Sequence, residues 1–460
     1  MTKPTHSISS PTALARKLVS EGQRSEAEFV IAQLICDNFG VLVQTTSINF
    51  DWTSLNSING IVKTQDGKQF FFKFHQEEGD EDTLDEYYQA EILASAGLPV
   101  DMPSMACRQP GRQILLYPFR RTPQLSELCL NIERKKQSVS TLSLVSAQRT
   151  LDRKVAKVYG ATLHQTNVKF CAEASIHQLF YYRLIHTVQD RVLGGRYDRF
   201  YANKTVRLPG IMLPWDRFAN MNWVINGIRY QNSLFDLFVE SLAKLAPAHL
   251  VHCGAVTGHG DAHNANVWFE AYGKAGRLIL FDPAFAGNHL PSLLAEVKAT
   301  FHNIFAHPFW LYHPEEAHSR YKVSFTIEGD TIVFSHNWHL SPLRELFLLH
   351  KTNEVWRPLM FALNTRNLLP VDWVRILRCA LFCCPTLVTN LLANTPASGT
   401  AVRSPEMSAL AFAISIMAGS QPNDNDKDAD IFSQFIGHIT PSTRGQLPDL
   451  NLGAATVNYC

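Results

Sequence analysis

The sequence predicts an α+β chain: a small antiparallel β-sheet with one inserted helix, then a larger, mainly helical part. Three observations carry this. Residues 41–74 are strand-rich and are punctuated by the turn pair Asp66–Gly67. Beyond residue 120 the apolar residues recur mostly at helical spacing. The 460 residues are 46% hydrophobic and 18% charged, enough for a large core, which excludes disorder as the main state.

Taken in order, residues 1–23 read as a flexible N-terminus. Phe29, Val30, Leu34 and Ile35 recur at helical spacing and predict a helix over 24–38. Val41–Phe50, Ile58–Thr64 and Lys68–Phe74, the last with four phenylalanines, predict three strands. The acidic run Glu77–Asp85 leads into a helix that carries Glu91 and ends near Gly97, and Ile114–Tyr117 is a further strand. Leu151–Gln165 and Ser175–Leu193 predict helices, whereas 195–232, rich in Gly, Arg, Tyr, Pro and Trp, predicts an irregular insertion. Ser233–Lys244 predicts a helix, Val251–Phe285 two short apolar strands around loops, and Lys322–Ser335 a hairpin turning at Glu328–Gly329–Asp330. Residues 342–364 and 371–393 predict helices. Ala409–Ala418 predicts a buried one, shorter than the roughly 18 apolar residues of a membrane span. The polar tail 421–460 is expected to be partly disordered.

Several function classes fall away on composition. Lys+Arg minus Asp+Glu is 42 − 41 = +1, so no global field holds nucleic acid or an anionic membrane. The nine cysteines are scattered without a CxxC pair, which supports neither a zinc ribbon nor a thioredoxin-like site. No apolar run follows the polar opening residues, so no signal peptide is read and a reducing, cytoplasmic setting is expected. Neither GxxxxGK[ST] nor a GxGxxG between strand and helix occurs. The sequence sets no oligomeric state.

The chemistry concentrates in His259-Gly260-Asp261-Ala262-His263-Asn264-Ala265-Asn266, followed by an apolar strand and Asp282 in LILFDPAF. Phosphoryl transfer needs a carboxylate to orient the attacking hydroxyl, and an amide oxygen and second carboxylate to hold Mg2+ against the phosphates. Asp261 fits the first role, and Asn266 with Asp282 the metal pair.

HGDAHNAN resembles the HGDxHxxN catalytic loop of the aminoglycoside phosphotransferase-like kinases, small-molecule relatives of the protein kinases. Asp282 resembles their metal-binding Asp, and His263 also fits their pattern. Leu163-His164 resembles the family's Leu-His helix, and Phe71-Phe72-Lys73-Phe74 its strand lysine. AEILASAGLPVDMP resembles the helix whose glutamate, here Glu91, pairs with that lysine. The resemblance covers roughly residues 25–300. It implies a bilobal protein-kinase-like fold, with 24–119 as nucleotide-binding lobe and 120–420 as catalytic and acceptor-binding lobe. It implies ATP and Mg2+ as cofactors. Ser54 and Ser57 would cover the phosphates, and Leu116 and Tyr117 lie where the adenine hinge falls. Asp261 and His263 would be catalytic and the partner a small-molecule hydroxyl acceptor.

Departures and plainer readings stand beside this. The nucleotide loop has only Gly60, and Ser292-Leu293-Leu294-Ala295 replaces the family's Asp-Leu-Ala. Lys73 among phenylalanines also reads as the solvated face of an edge strand, and Glu91 as a solvated helix residue. His302, His307, His313 and His318 are spaced by five, six and five, which favours core or surface histidines over a zinc site. Trp310, Trp338, Trp356 and Trp373 read as core. With no dense acidic run to receive a polycation, a sugar, amino alcohol or nucleoside fits at least as well as an aminoglycoside. A nucleotide-binding pseudokinase and a nucleotidyl transferase are the alternatives.

Overall fold

Ser10 caps a first helix, accepting from Ala13 N–H at 3.3 Å, and Pro11 sits in the first turn, so α1 (Pro11–Ser20) replaces much of the expected flexible N-terminus. The computed structural model describes residues 10–49, 57–75, 89–136, 140–186, 188–189, 191–272, 275–398, 401–423 and 429–441. Helix α2 (Arg24–Phe39) buries Ala27, Ile31, Leu34 and Ile35, a stripe at i, i+4, i+7 and i+8.

That stripe packs against a five-stranded antiparallel sheet. Its strands are β1 (Val43–Asn49), β2 (Ser57–Thr64), β3 (Gln69–His75), β4 (Met105–Cys107) and β5 (Ile114–Pro118), in the order β1-β2-β3-β5-β4. Ile48, Ile58, Val62, Phe72, Phe74, Ile114 and Leu116 join the helical residues in one core. Each such side chain contributes about 1.5–3 kcal/mol by leaving water. The two-residue period that buries Phe72 and Phe74 turns Lys73 to the other face. The short α3 (Ala90–Ser95) buries Ala90 and Leu93. The acidic run Glu77–Asp85 lies outside the described residues.

A second, larger core begins beyond this sheet. Two connecting segments reach it by main-chain bonds. Asp101 N–H donates to Leu280 O at 2.7 Å, and Phe269 N–H donates to Pro123 O at 3.0 Å. Arg120 locks both segments, with its guanidinium 2.7–2.8 Å from the Asp101 carboxylate. Helices α4 (Leu125–Glu133) and α5 (Thr141–Thr162) follow. Helix α5 starts ten residues before the predicted Leu151, because Leu144, Val145, Ala147 and Gln148 already form its buried face. It ends at Thr162. His164 lies beyond it in extended chain and bridges to Ala255, so the Leu-His pair closes the helix rather than lying within it.

Two predictions fail between 175 and 232. The expected helix over Ser175–Leu193 is only a 3-10 turn, Ser175–Leu179, and one α-turn, Tyr181–Leu184, separated by Phe180 at φ −129, ψ −85. The expected irregular insertion is ordered. It holds the hairpin β6 (Thr205–Leu208) and β7 (Ile211–Pro214), then β8 (Asn222–Ile225) and β9 (Ile228–Arg229). Trp223 and Ile225 of β8 are buried.

Next come the ribbons that frame the site: β10 (Ala255–Gly258) with β13 (Gly287–Pro291), and β11 (Val267–Tyr272) with β12 (Ala275–Leu280). The predicted hairpin forms as β14 (Val323–Glu328) and β15 (Thr331–His336). Strand β8 pairs in parallel with β15, giving a sheet of order β14-β15-β8-β9. Helical turns run from Pro342 to Thr365 with a widened π-type turn at Lys351–Trp356, and Trp373–Val388 and Pro405–Gly419 form as helices. Part of the expected disordered tail is instead a buried helix, Ile431–Ile439. Asp430 caps it by accepting from Phe432 and Ser433 N–H at 2.8 and 2.9 Å, and Phe432 and Phe435 pack on Phe305. The four tryptophans read as core are buried.

Candidate active site

The His259–His263 loop leaves β10 through Gly260, whose φ is +75; a Cβ there would lie 2.6 Å from Phe285 O, so only glycine fits. His259 Nε2 lies 2.9 Å from Phe281 O, and its Nδ1 lies 3.3 Å from Asp261 N. Since Asp261 N–H must donate, the ring carries its proton on Nε2 and donates to Phe281. Burial lowers the His259 pKa and keeps it neutral in this role.

The loop then tightens on Asp261. Its carbonyl accepts from His263 N–H at 2.8 Å and from Asn266 Nδ2 at 3.0 Å. Its carboxylate is 13% exposed, and Oδ1 is buried with no hydrogen-bond partner among the described residues. His263 Nε2 stands 3.8 Å from Oδ2. Because Asn266 spends its NH2 on the Asp261 carbonyl, its amide oxygen remains as an acceptor.

Asp282 joins this group through the backbone. Phe281 N–H donates to Asn266 O at 3.0 Å, and the Phe281 ring stacks on Trp268 with centroids 4.2 Å apart. Asp282 itself has φ +55, a strained position for a residue with a side chain. Its carboxylate meets Lys73 Nζ. Burial alone would raise the Asp282 pKa, but the Lys73 charge and hydrogen bond outweigh it and hold the carboxyl below its ordinary range. Lys73 lies on β3, an interior strand between β2 and β5, so it is not the solvated residue of an edge.

The structure thus gathers Lys73, Asp261, His263, Asn266 and Asp282. Other predicted residues are placed differently. Glu91 is exposed, since the buried face of α3 is Ala90 and Leu93; among the described residues the ion pair of Lys73 is with Asp282. Leu116 is fully buried in the sheet core, and its carbonyl accepts from Ser104 N–H at 2.8 Å and Ser104 Oγ at 3.1 Å. Tyr117 is 8% exposed on the same interior strand, paired with Phe71. Ser57 opens β2 opposite His75, and Ser54 lies outside the described residues.

Sequence reasoning missed the residues that hold the loop. Asn303 accepts from Asn264 N–H at 2.6 Å and donates to Ala262 O at 3.1 Å. Arg344 Nη1 donates to Asn303 O at 2.6 Å and grips Glu133 with its other nitrogens. Ser292, standing near where the family carries an aspartate, donates Oγ–H to Cys253 O at 2.5 Å. Glu296, one residue past Ala295, accepts from Lys351 Nζ at 2.6 Å and Tyr159 OH at 2.7 Å. Of these, Ser292 lies in the Ser292–Ala295 stretch that the sequence singles out, and Glu296 lies next to it.

No protein-family model matches the sequence, and no curated protein matches it. Solved structures similar to the chain include a Plasmodium vivax ethanolamine kinase, at 10% identity and a TM-score of 0.41, covering 90% of this chain and 95% of that one. A spectinomycin phosphotransferase in complex with ADP and spectinomycin is similar at 13% identity and a TM-score of 0.34, covering 85% and 98%. The macrolide 2'-phosphotransferase MphH from Brachybacterium faecium is similar at 11% identity and a TM-score of 0.31, covering 78% and 98%.

Proposed function

We propose that the chain transfers the γ-phosphate of ATP to a hydroxyl of a small molecule. The observation that carries this reading is Asp261 Oδ1, a buried carboxylate oxygen without a partner, set in one loop with Asn266 and beside an Asp282 held by Lys73. A buried unpaired acceptor costs about 1–3 kcal/mol unless something donates to it. An acceptor hydroxyl is the donor that the reaction supplies.

In this reading the acceptor oxygen bonds to the γ-phosphorus, the bond to the β-phosphate bridging oxygen breaks, and Asp261 takes the hydroxyl proton. Lys73 turns from Asp282 to the nucleotide phosphates. The Asn266 amide oxygen and the ionised Asp282 carboxylate are hard oxygen donors that would hold Mg2+, which would supply compensation of phosphate charge. His263 supports the acceptor side of Asp261. The sheet core and the larger core serve as two lobes, 24–119 for nucleotide and 120–420 for acceptor, with Lys73 and Asp282 meeting between them.

The test is mass spectrometry of a metabolite pool incubated with the chain, ATP and Mg2+, beside Asp261→Asn. A compound that gains a phosphate with the native chain alone supports the reading. Gain of AMP moves it to nucleotidyl transfer. Unchanged pools from extracts of diverse cells, with ATP left intact, reject it.

A further inference from the structure

Behind Asp261 lies a buried cation without a buried anion. Lys298 is 3% exposed, and among the described residues its Nζ has one hydrogen-bond partner, His302 Nε2 at 2.9 Å. No carboxylate of the described residues lies within ion-pair reach of it. His302 Nδ1 in turn meets Tyr312 OH, so the imidazole accepts from Lys298 and donates to the tyrosine as a neutral ring. Burial and the Lys298 charge both hold the His302 pKa far below its ordinary value. The His302 ring stands 6.4 Å from the His263 ring, and His263 stands 3.8 Å from Asp261. Lys298, His302 and Asn303, which clamps the catalytic loop, sit on one helical run, Val297–Phe305.

Other buried cations among the described residues are compensated. Lys351 has Asp152 and Glu296, and Arg344 has Glu133. Arg378 donates to the carbonyls of Met417 and Ser420, and Arg403 to those of Trp310 and Leu311. Lys298 has three donors and one neutral acceptor. Burial pushes the Lys298 pKa down, the Asp261 charge opposes that, and Arg183 and Arg196 add to it; Arg183 also disfavours positive charge on His302. The surroundings on this side of Asp261 are therefore electropositive, and an ammonium left buried without a counter-charge is costly.

We infer that the acceptor carries an anionic group, a carboxylate or a phosphate, which Lys298 receives while its hydroxyl is presented to Asp261. The inference rests on the kinase reading for the second half only, because an anion site at Lys298 stands whether or not phosphate is transferred. It disfavours a polycationic antibiotic or a choline-like ammonium as acceptor, since either would bring positive charge against Lys298 and the nearby guanidiniums.

The experiment is calorimetric titration of the full chain with four probes of one size class: glycerate, glycerol 3-phosphate, glycerol and ethanolamine. Charge-assisted bonds to a buried ammonium predict that one or both anionic probes bind about 10- to 100-fold tighter than glycerol, and that Lys298→Met abolishes the preference while Lys298→Arg keeps part of it. Preference for glycerate names a carboxylate, and preference for glycerol 3-phosphate names a phosphate. Equal binding of all four, or tighter binding of ethanolamine, overturns the inference on the native chain without any variant. The pool experiment separates the two readings. Phosphate gained only by neutral or cationic metabolites would sink the anion site and leave the kinase. An anion preference lost in Lys298→Met, with no transfer in any pool, would sink the kinase and leave the site.

Discussion

Glu133→Gln probes the support of the 259–266 loop in one change, because Glu133 holds Arg344 and Arg344 holds Asn303, which bonds to that loop. Arg344 Nε and Nη2 lie 2.8 and 3.1 Å from the two Glu133 oxygens, and Ser341 Oγ adds a third bond at 2.8 Å. Both charged side chains are buried, at 0% and 3% exposure. Burial pushes the Glu133 pKa up, but the Arg344 charge and hydrogen bonds outweigh it and hold it at about 2 against an ordinary 4.5. The gap corresponds to about 3 kcal/mol of stability. Because the folded pKa is depressed, this contribution is complete well above pH 4.5 and is lost as pH falls toward 2. Just under 1 kcal/mol is gone by roughly pH 4 and about 2 kcal/mol by roughly pH 3. Urea unfolding of the native chain and of Glu133→Gln at pH 7, 4 and 3 reads both quantities. The variant should be about 3 kcal/mol less stable at neutral pH, and the difference should shrink on acidification. A difference of about 1 kcal/mol or less at pH 7, or one that does not change with pH, would mean the pair behaves as a solvated ion pair and would refute the reasoning.

Three further outcomes are expected. Asp261→Asn should cut phosphate transfer about 10²- to 10⁴-fold, read by product mass spectrometry, with the urea midpoint kept. Lys351→Met removes the cation shared by Asp152 and Glu296, and should cost about 3–5 kcal/mol in urea unfolding. Gly260→Ala forces a Cβ against Phe285 O at a left-handed φ; a loss of about 1–3 kcal/mol, with transfer reduced in the same sample, is the expected result.

The sheet was legible because its signals are local. Alternating phenylalanines in β3 and the Asp66–Gly67 turn specify a hairpin without help from the rest of the chain. The loop at Asp261 was legible for a different reason, since its histidine, carboxylate and amide residues stand at fixed spacing in one short segment. The insertion was misread although Asn226–Gly227 carries φ of +50 and +84, the conformation of a tight hairpin turn that this dipeptide favours. Strands of two to four residues give too short an alternation to register, and one partner of β8, the strand β15, lies far along the chain. Lys298, Asn303 and Arg344 were not legible at all. Each looks like an ordinary polar residue, and its role depends on which loop the fold lays against it. Glu91 shows the converse: the resemblance pairs it with Lys73, but Ala90 and Leu93 take the buried side of the helix and Glu91 is exposed.

The parallel pairing of β8 with β15 sets a timetable for the chain as it is made. Thr331 pairs with Asn222, 331 − 222 = 109 positions earlier. Tyr230 waits longer, since its hydroxyl donates to Asp430, 200 positions on. At a synthesis rate of roughly 5–20 residues per second, β8 emerges from the ribosome about 5–20 s before its partner exists. During that interval Trp223 and Ile225, both buried in the finished protein, are borne by a nascent chain with an unpaired strand edge. Slow codons between β8 and β15 would prolong that exposure, and a chaperone that engages the emerging 222–230 segment would cover it.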